Sequence, residues 1–242
     1  MPVRRWFMRI HGWMALIAGV QMLLWVVSGL VMAWFPIDTV RGRHLVRETA
    51  PRLIDPAEPL APLSAVIAQI EGGATQATLR FLLDAPVLEI QRTDGSVVLA
   101  DARTGTLLPP LDEAQARAVA EADFAGAGTI TDAVLLDHPK PEERTAAPVW
   151  RVQFDDPDAT RVFVSPQTGK VVARRTATWR LYDFFWMLHI MDYGEREDFN
   201  HPLIIVFAAL STIVAFTGLP LLWWQVIAPR FRRARRASVG DD

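Results

Sequence analysis

Two long uncharged apolar stretches, residues 10–37 and 202–229, enclose a more polar middle region of this 242-residue chain. A hydrocarbon core about 30 Å thick is crossed by about 20 apolar residues in a helix. Both stretches are longer than this, so the sequence predicts two transmembrane helices in contact with the lipid bilayer. The expected fold class is a membrane protein in which two transmembrane α-helices flank an extracytoplasmic α+β domain.

Basic residues lie next to both apolar stretches, on the side nearer to each chain terminus. Three arginines precede the first stretch and five follow the second: Arg4, Arg5, Arg9, Arg230, Arg232, Arg233, Arg235 and Arg236. Positive residues beside a transmembrane helix are retained on the cytoplasmic side. We therefore expect a bacterial inner-membrane protein with both termini in the cytoplasm and a periplasmic central domain.

The amino terminus has an alternative interpretation as a cleaved export signal. Residues 4–9 (RRWFMR) have a likeness to a twin-arginine signal, and residues 31–33 (VMA) could form a cleavage site. The apolar run, however, exceeds the usual signal core of about 7 to 15 residues. It is also rich in tryptophan, which favours a retained helix.

Cysteine is absent from the chain. Disulfides, thiol redox chemistry, cysteine-ligated zinc and iron–sulfur clusters are therefore excluded within it. A metal or cofactor would have to be held by histidines or carboxylates. No phosphate-binding glycine loop, nucleophile elbow or zinc-protease motif is present, so no complete catalytic site and no nucleic-acid partner are expected.

The middle region contains a weak internal repeat. Residues 98–107 (VLADARTGTL) and 162–171 (VFVSPQTGKV) each predict a β-hairpin with a Thr-Gly turn. Gly105 and Gly169 would supply the positive φ of that turn. Amphipathic helices are predicted upstream at 62–70 and 112–124, and further strands at 77–83, 87–92 and 149–154.

A helix followed by antiparallel strands that end in an aliphatic-Asp-x-x-Thr-Gly-x-aliphatic hairpin resembles the PepSY domain, here in two copies. The second copy has Ser165 where aspartate is usual. The resemblance implies a binding or inhibitory role for this region, without chemistry of its own.

The apolar stretches resemble the PepSY-associated transmembrane family. The similarity rests on His11-Gly12-Trp13 and Ser28-Gly29 in the first stretch, and on Leu188-His189, Thr217-Gly218-Leu219 and Trp223 towards the end. Some larger members of that family, with four or more transmembrane helices, reduce ferric siderophores in the inner membrane and bind haem b through intramembrane histidines. The resemblance therefore implies haem b as a cofactor and histidines as ligands to its iron.

Three histidines are candidates for such ligands: His11, His189 and His201. His11 is predicted at the cytoplasmic end of the first helix and His201 at the outer end of the second, so the two cannot share one iron. His189 lies in an aromatic segment predicted near the outer interface, where it could meet His201. His11 would need a partner from another chain, most simply its own copy in a homodimer with a four-helix bundle.

Each of these histidines also has a structural interpretation. Histidine at a membrane interface is often a polar residue at the level of the lipid headgroups. His201 and Pro202 could simply begin a helix, with Asn200 as its cap. His44 and His138 lie in the polar region, and no role is predicted for them.

The predicted order along the chain is a basic amino terminus (1–9), transmembrane helix 1 (10–37), PepSY-like repeat 1 (38–110), PepSY-like repeat 2 (111–175), an aromatic interfacial segment (176–200), transmembrane helix 2 (201–228) and a basic tail (229–242). Two functions remain open. One is an accessory or binding module that recognises a periplasmic protein or peptide. The other is a haem b-binding electron-transfer subunit linked to ferric siderophore reduction, acting as a homodimer or beside a larger membrane reductase.

Overall fold

The structure is a computed structural model that describes residues 2–48, 50, 52–55 and 57–230. The predicted basic tail beyond Arg230 lies outside the described residues. The chain divides into two compact units. We call Met1–Trp34 with Asp183–Asp242 the helical unit, and Phe35–Tyr182 the sheet unit.

The helical unit contains α1 (Pro2–Trp34), the second part of α5 (Ala177–Ile190) and α6 (Pro202–Leu222), which continues as a π-helical turn at Trp223–Ile227. Two segments are long and apolar enough to cross a membrane: Met8–Trp34, with 27 residues, and Pro202–Arg230, with 29. The predicted pair of transmembrane helices is confirmed. α1 ends at Trp34, before residue 37, because Pro36 disfavours a helical conformation in the residue that precedes it.

Helices α1 and α6 run antiparallel. The side chain of His11 meets Thr217, and that of Met8 meets Gln225 nearer the carboxyl end of α6. Large apolar side chains such as Leu30 and Phe216 are exposed, as expected of a surface that faces lipid.

Two polar side chains in the apolar part of α1 are not exposed in this way. Gln21 and Ser28 are both buried. In the part of the chain that the structure describes, the Gln21 Nε2 atom has no hydrogen-bond partner.

The sheet unit contains two similar halves, each with a helix and a four-stranded antiparallel sheet. The first half comprises α3 (Leu63–Ile67), β1 (Ala74–Leu82), β2 (Ala85–Arg92), β3 (Val97–Asp101) and β4 (Leu107–Leu108). The second comprises α4 (Glu113–Asp123), β5 (Ile130–Leu136), β6 (Val149–Phe154), β7 (Arg161–Val164) and β8 (Val171–Arg175). Short helices also occur at α2 (Ile37–Val40), Arg43–Leu45 and Pro141–Glu143. The predicted duplicated α+β domain is confirmed.

The two repeated hairpins have the predicted turns. Gly105 and Gly169 have φ values of 79° and 64°, a region that favours glycine. In the first turn the Asp101 carboxylate accepts the N–H groups of Arg103 and Thr104. The hydrogen bond from Thr104 lowers the pKa of Asp101, against the opposing effect of burial. Ser165 serves the second turn in the same way, because its Oγ accepts the N–H of Thr168 at 3.2 Å.

Strand β5 was not predicted from the sequence. Buried and exposed side chains do not alternate regularly along this strand. Of its seven residues, only Ala133 is buried. Its place in the sheet is fixed by pairing with β6 from Ile130 to Leu136. A strand specified by its neighbour rather than by its own pattern gives little signal in the sequence.

The sequence left open whether the aromatic segment before the second transmembrane helix continues into it. Helix α5 ends at Ile190, and Met191 follows with a φ of 58°. Helix α6 begins only at Pro202. The aromatic segment is therefore mainly a separate helix, and a loop of residues 191–201 separates it from α6.

Candidate histidine sites in the helical unit

His11 of α1 contacts a hydroxyl–glycine pair on α6. Its Nδ1 lies 2.8 Å from the Oγ1 of Thr217. That hydroxyl also lies 2.7 Å from the carbonyl oxygen of Ile213, one turn earlier in α6. A Cβ atom at Gly218 would lie 3.4 Å from the His11 Cε1, so the glycine exposes helix backbone to the imidazole.

His189 of α5 makes the corresponding contacts with α1. Its Nδ1 lies 3.0 Å from the Oγ of Ser28, which in turn lies 2.6 Å from the carbonyl oxygen of Leu24. A Cβ atom at Gly29 would lie 3.5 Å from the His189 Cε1. The indole N–H of Trp25 also donates to the carbonyl oxygen of His189 at 2.8 Å. The end of α5 is thus attached to α1 through both the ring and the backbone of this histidine.

The two histidine sites lie at different levels of the helical unit. His11 and Ser28 are 17 positions apart on α1, which corresponds to about 26 Å along the helix axis. His201 precedes Thr217 by 16 positions, or about 24 Å along α6. Because α1 and α6 are antiparallel, His201 is at about the level of His189 and far from that of His11.

His201 has a different local role from the other two candidates. It is the N-cap of α6, with Pro202 at the first helical position. Its Nδ1 accepts a long hydrogen bond of 3.4 Å from the N–H of Leu203. The predicted helix start is therefore correct, but the cap is His201 rather than Asn200.

The loop between α5 and α6 is organised by the buried carboxylate of Asp192. Its Oδ1 accepts the N–H of Gly194 at 3.1 Å, and its Oδ2 accepts those of Glu197 and Asp198 at 3.0 and 3.1 Å. Burial alone would raise the pKa of Asp192, but these three donors and the nearby His201 lower it overall. The ionised carboxylate therefore stabilises the loop that connects the two histidine-bearing segments.

We expect Asp192→Asn to loosen this loop, because an amide replaces one acceptor oxygen with a donor that faces backbone N–H groups. Exchange of the Glu197 and Asp198 amides should accelerate by roughly tenfold, as for loss of one hydrogen bond to a charged group. In the parent protein, the ionised Asp192 carboxylate should stabilise the loop fully at pH values above the ordinary carboxyl pKa. This stabilisation should be lost as the pH falls through the lowered pKa of Asp192. Hydrogen exchange at several pH values measures both effects.

Glu195→Gln is the matched control for this experiment, because Glu195 lies in the same loop and is exposed. Equal exchange rates in the two variants would contradict a special role for Asp192.

An ion pair also connects the same loop to α5. The Asp183 carboxylate, buried in α5, accepts from Arg196 at 2.6 Å. The carbonyl oxygen of Arg196 accepts the indole N–H of Trp186 at 2.9 Å. The ring of Phe199 lies edge-on to that of Trp186, with centroids 5.1 Å apart.

His11 also lines a small pocket. The pocket has a volume of about 340 Å³, and its other lining residues are Met8, Leu221, Leu222, Gln225 and Val226. Apolar side chains thus surround the imidazole on this side. Over the described ranges 2–48, 50, 52–55 and 57–230, no three histidine or acidic side chains converge as a metal-binding group.

The sheet unit contains a larger groove of about 1000 Å³. Its lining includes five cationic and two acidic side chains: Arg47, Arg52, Arg80, Lys170, Arg174, Asp84 and Asp123. Glu89, behind the groove, pairs with both Arg80 and Lys170 at 2.7 Å. Burial opposes ionisation of Glu89, but these two cations lower its pKa overall.

Arg47 differs from the other cations of the groove. It donates to the carbonyl oxygen of Phe124 at 2.9 Å. In the described part of the chain it has no carboxylate partner. The groove therefore presents an excess of positive charge.

The pairing of each histidine with a hydroxyl–glycine sequence was not predicted. The sequence singled out Ser28-Gly29 and Thr217-Gly218 only as family features. The relevant fact is that each histidine lies close in level to one such pair on another helix. Recognising it requires the register between helices, which the sequence does not provide.

Comparison with known proteins identifies one family. The family model described as PepSY-associated TM region matches residues 8–240. No curated protein and no solved structure matches the chain.

Proposed function

Since the chain belongs to the PepSY-associated transmembrane family, we propose that it is a haem b-binding electron-transfer subunit of the bacterial inner membrane. Its electrons would pass from the cytoplasmic side outward to an acceptor such as a ferric siderophore. The observation that carries the proposal is the pair of imidazoles at two levels of the helical unit, each held at Nδ1 by a hydroxyl group of another helix.

The ring nitrogens of His11 and His189 suit the iron of a b-type haem. Histidine binds metals through a neutral ring nitrogen, and its other nitrogen is commonly oriented by a hydrogen bond. In His11 and His189 the hydrogen bond is made by Nδ1, and no described residue bonds to Nε2. The pocket beside His11, lined by Met8 and Leu221 among others, offers apolar surroundings for a porphyrin edge.

At each level a bound haem would need a second ligand, and the source of that ligand would differ between the two levels. His201 is at about the level of His189 and is therefore the candidate partner for the outer site. No other histidine of the described helical unit is near the level of His11, which would require the same residue from a second copy or a ligand from a larger membrane reductase. A homodimer would supply this ligand and a four-helix bundle together.

A bound haem supplies a centre that accepts and releases one electron. The protein's own residues provide the rest of the arrangement. Thr217 and Ser28 orient the rings, and Trp25 fixes the end of α5 to α1. Basic residues at both chain ends support a cytoplasmic location for the termini.

The test is an absorption spectrum of the full-length protein, purified in detergent after expression with added haem precursor. We expect a Soret band, sharp α and β bands after reduction with dithionite, and haem at both levels. A folded protein without any haem band, from cells in which another b-type cytochrome is fully loaded, would refute the proposal.

A second candidate function is supported by the groove of the sheet unit. We propose that this PepSY domain also serves as a binding module for an acidic segment of a periplasmic protein or peptide. Five cations against two acidic residues line the groove, and apolar Phe81 and Leu83 lie between them. Such a lining attracts an extended acidic chain with some apolar side chains.

We expect a fluorescein-labelled oligoglutamate peptide to bind the full-length protein, and binding to weaken as salt screens the charges. Arg47→Gln should reduce the affinity, whereas Arg117→Gln, which removes an exposed arginine from α4 outside the groove, should leave it unchanged. Fluorescence anisotropy measures both. Equal affinity of the two variants, or equal binding of an oligolysine peptide, would refute this second proposal.

A further inference from the structure

We propose that Ser28 and Thr217 are positioning residues that hold His189 and His11 as the Nδ1–H tautomer, which leaves the Nε2 lone pair of each ring free to bind a metal. This inference rests on the proposed haem function only for the identity of the metal group. The tautomers themselves follow from the contacts of the two hydroxyl groups.

The first step concerns the single proton of each hydroxyl. The Thr217 Oγ1 lies 2.7 Å from the carbonyl oxygen of Ile213, and the Ser28 Oγ lies 2.6 Å from that of Leu24. A carbonyl oxygen can only accept, so each hydroxyl proton is used in its own helix. The hydroxyl oxygen is then left as an acceptor toward the imidazole.

The second step concerns the ring. With each hydroxyl proton donated to a carbonyl oxygen, the Nδ1 atoms of His11 and His189, at 2.8 Å and 3.0 Å from the hydroxyl oxygens, supply the proton of the hydrogen bond. A neutral imidazole carries one N–H, and its other nitrogen carries a lone pair. The lone pair is therefore on Nε2 in both residues. The helix register sets each hydroxyl group against its ring, so it also specifies the tautomer.

His201 provides an internal contrast. Its Nδ1 accepts the N–H of Leu203 at 3.4 Å, so the lone pair is on Nδ1 and the proton on Nε2. Binding iron through Nε2 would require that proton to move and the cap to be released. His11 and His189 need no such change.

The glycines next to the hydroxyl residues lie beside the Cε1 atoms of the two rings. A methyl group at Gly218 or Gly29 would be in ordinary van der Waals contact with the ring, at 3.4 or 3.5 Å. Gly218→Ala should therefore keep the His11 tautomer and serves as a control for changes in helix packing.

The experiment is ¹⁵N NMR of the full-length protein, prepared without haem and recorded at alkaline pH, with the imidazole signals assigned from single histidine substitutions. A bare ring nitrogen resonates far downfield of a protonated one, so each spectrum reports which nitrogen carries the proton. We expect Nδ1–H for His11 and His189, and Nε2–H for His201.

The variants separate positioning from general packing. Thr217→Val keeps the shape but removes the acceptor, so His11 alone should lose the pure Nδ1–H signal, and Thr217→Ser should restore it. Ser28→Ala should affect His189 alone, and Gly218→Ala neither. In protein that binds haem, Thr217→Val should weaken binding at the His11 level by about 10- to 100-fold, the usual range for loss of a hydrogen bond that orients a ligand.

An Nε2–H signal for His11 or His189 in the parent protein would overturn the inference, as would an unchanged His11 signal in Thr217→Val. The outcome is independent of the haem test. If the histidines have the expected tautomers but the protein shows no haem band, the inference is supported and the haem function is refuted. If the protein shows a haem band but His11 and His189 carry Nε2–H in the haem-free protein, the haem function is supported and the inference is refuted.

Discussion

Replacing His11 by alanine is expected to remove about a third of the haem from the purified homodimer, replacing His189 about two thirds, and the double variant all of it. In the proposed homodimer, one haem at the His11 level would be shared by two chains, whereas each chain would hold its own at the outer level. Losses at independent sites add when the sites are well separated, and Ser28, which contacts His189, lies about 26 Å from His11 along α1. His201→Asn, which keeps a good helix cap, should lose the same haem as His189→Ala because it removes the proposed second ligand. The measurement is haem per protein by the pyridine haemochrome method.

His138→Ala is the matched control, since His138 is an exposed residue of the sheet unit. It should keep the haem content of the parent protein. Complete loss of haem in both single variants would mean that His11 and His189 serve one site, which contradicts the two-level arrangement. Full haem content in the double variant would exclude both residues as ligands.

Replacing Asp183 by alanine is expected to cause the largest loss of stability. The Asp183 side chain is only 2 % exposed and accepts from Arg196 at 2.6 Å. Removing one partner of a buried ion pair costs 3–5 kcal/mol because the other charge remains buried. We expect about 3 kcal/mol, the lower end of that range, because the Arg196 side chain keeps 20 % of its surface exposed. Chemical unfolding of the full-length protein in detergent measures the change.

Two further variants test the explanation. Asp183→Leu combined with Arg196→Met removes both charges and should be less destabilising than Asp183→Ala. Asp38→Ala breaks a pair in which both side chains are more than 60 % exposed, and it should cost no more than about 1 kcal/mol. If Asp183→Ala cost as little as Asp38→Ala, the ion pair would not stabilise the end of α5.

Local patterns in the sequence were sufficient for much of the fold. The two apolar runs predicted α1 and α6, since length and the absence of charge are properties of a single segment. The Thr-Gly turns predicted both hairpins, and Ser165 proved able to replace aspartate because a hydroxyl oxygen can accept the same N–H of Thr168. Strand β5 was missed because its partner β6 specifies it.

The sequence predicted a separate aromatic segment but left open whether it continues into the second transmembrane helix. Residues 177–190 are rich in aromatic side chains, and the boundary at Ile190 depends on the loop that Asp192 and Arg196 organise. Those contacts join residues five to thirteen positions apart. Their formation depends on the burial of two carboxylates, and that burial is a property of the folded chain.

The sequence by itself determined a two-helix membrane protein of the PepSY-associated family, with a duplicated α+β domain and histidines at two levels, because each of these features is encoded in a local pattern. Only the tertiary structure decided which groups meet those histidines. Thr217 is 206 positions from His11, and Ser28 is 161 from His189. The antiparallel register of α1 and α6 and the return of α5 onto α1 bring each hydroxyl group within hydrogen-bond distance of its imidazole, and no local pattern encodes that register.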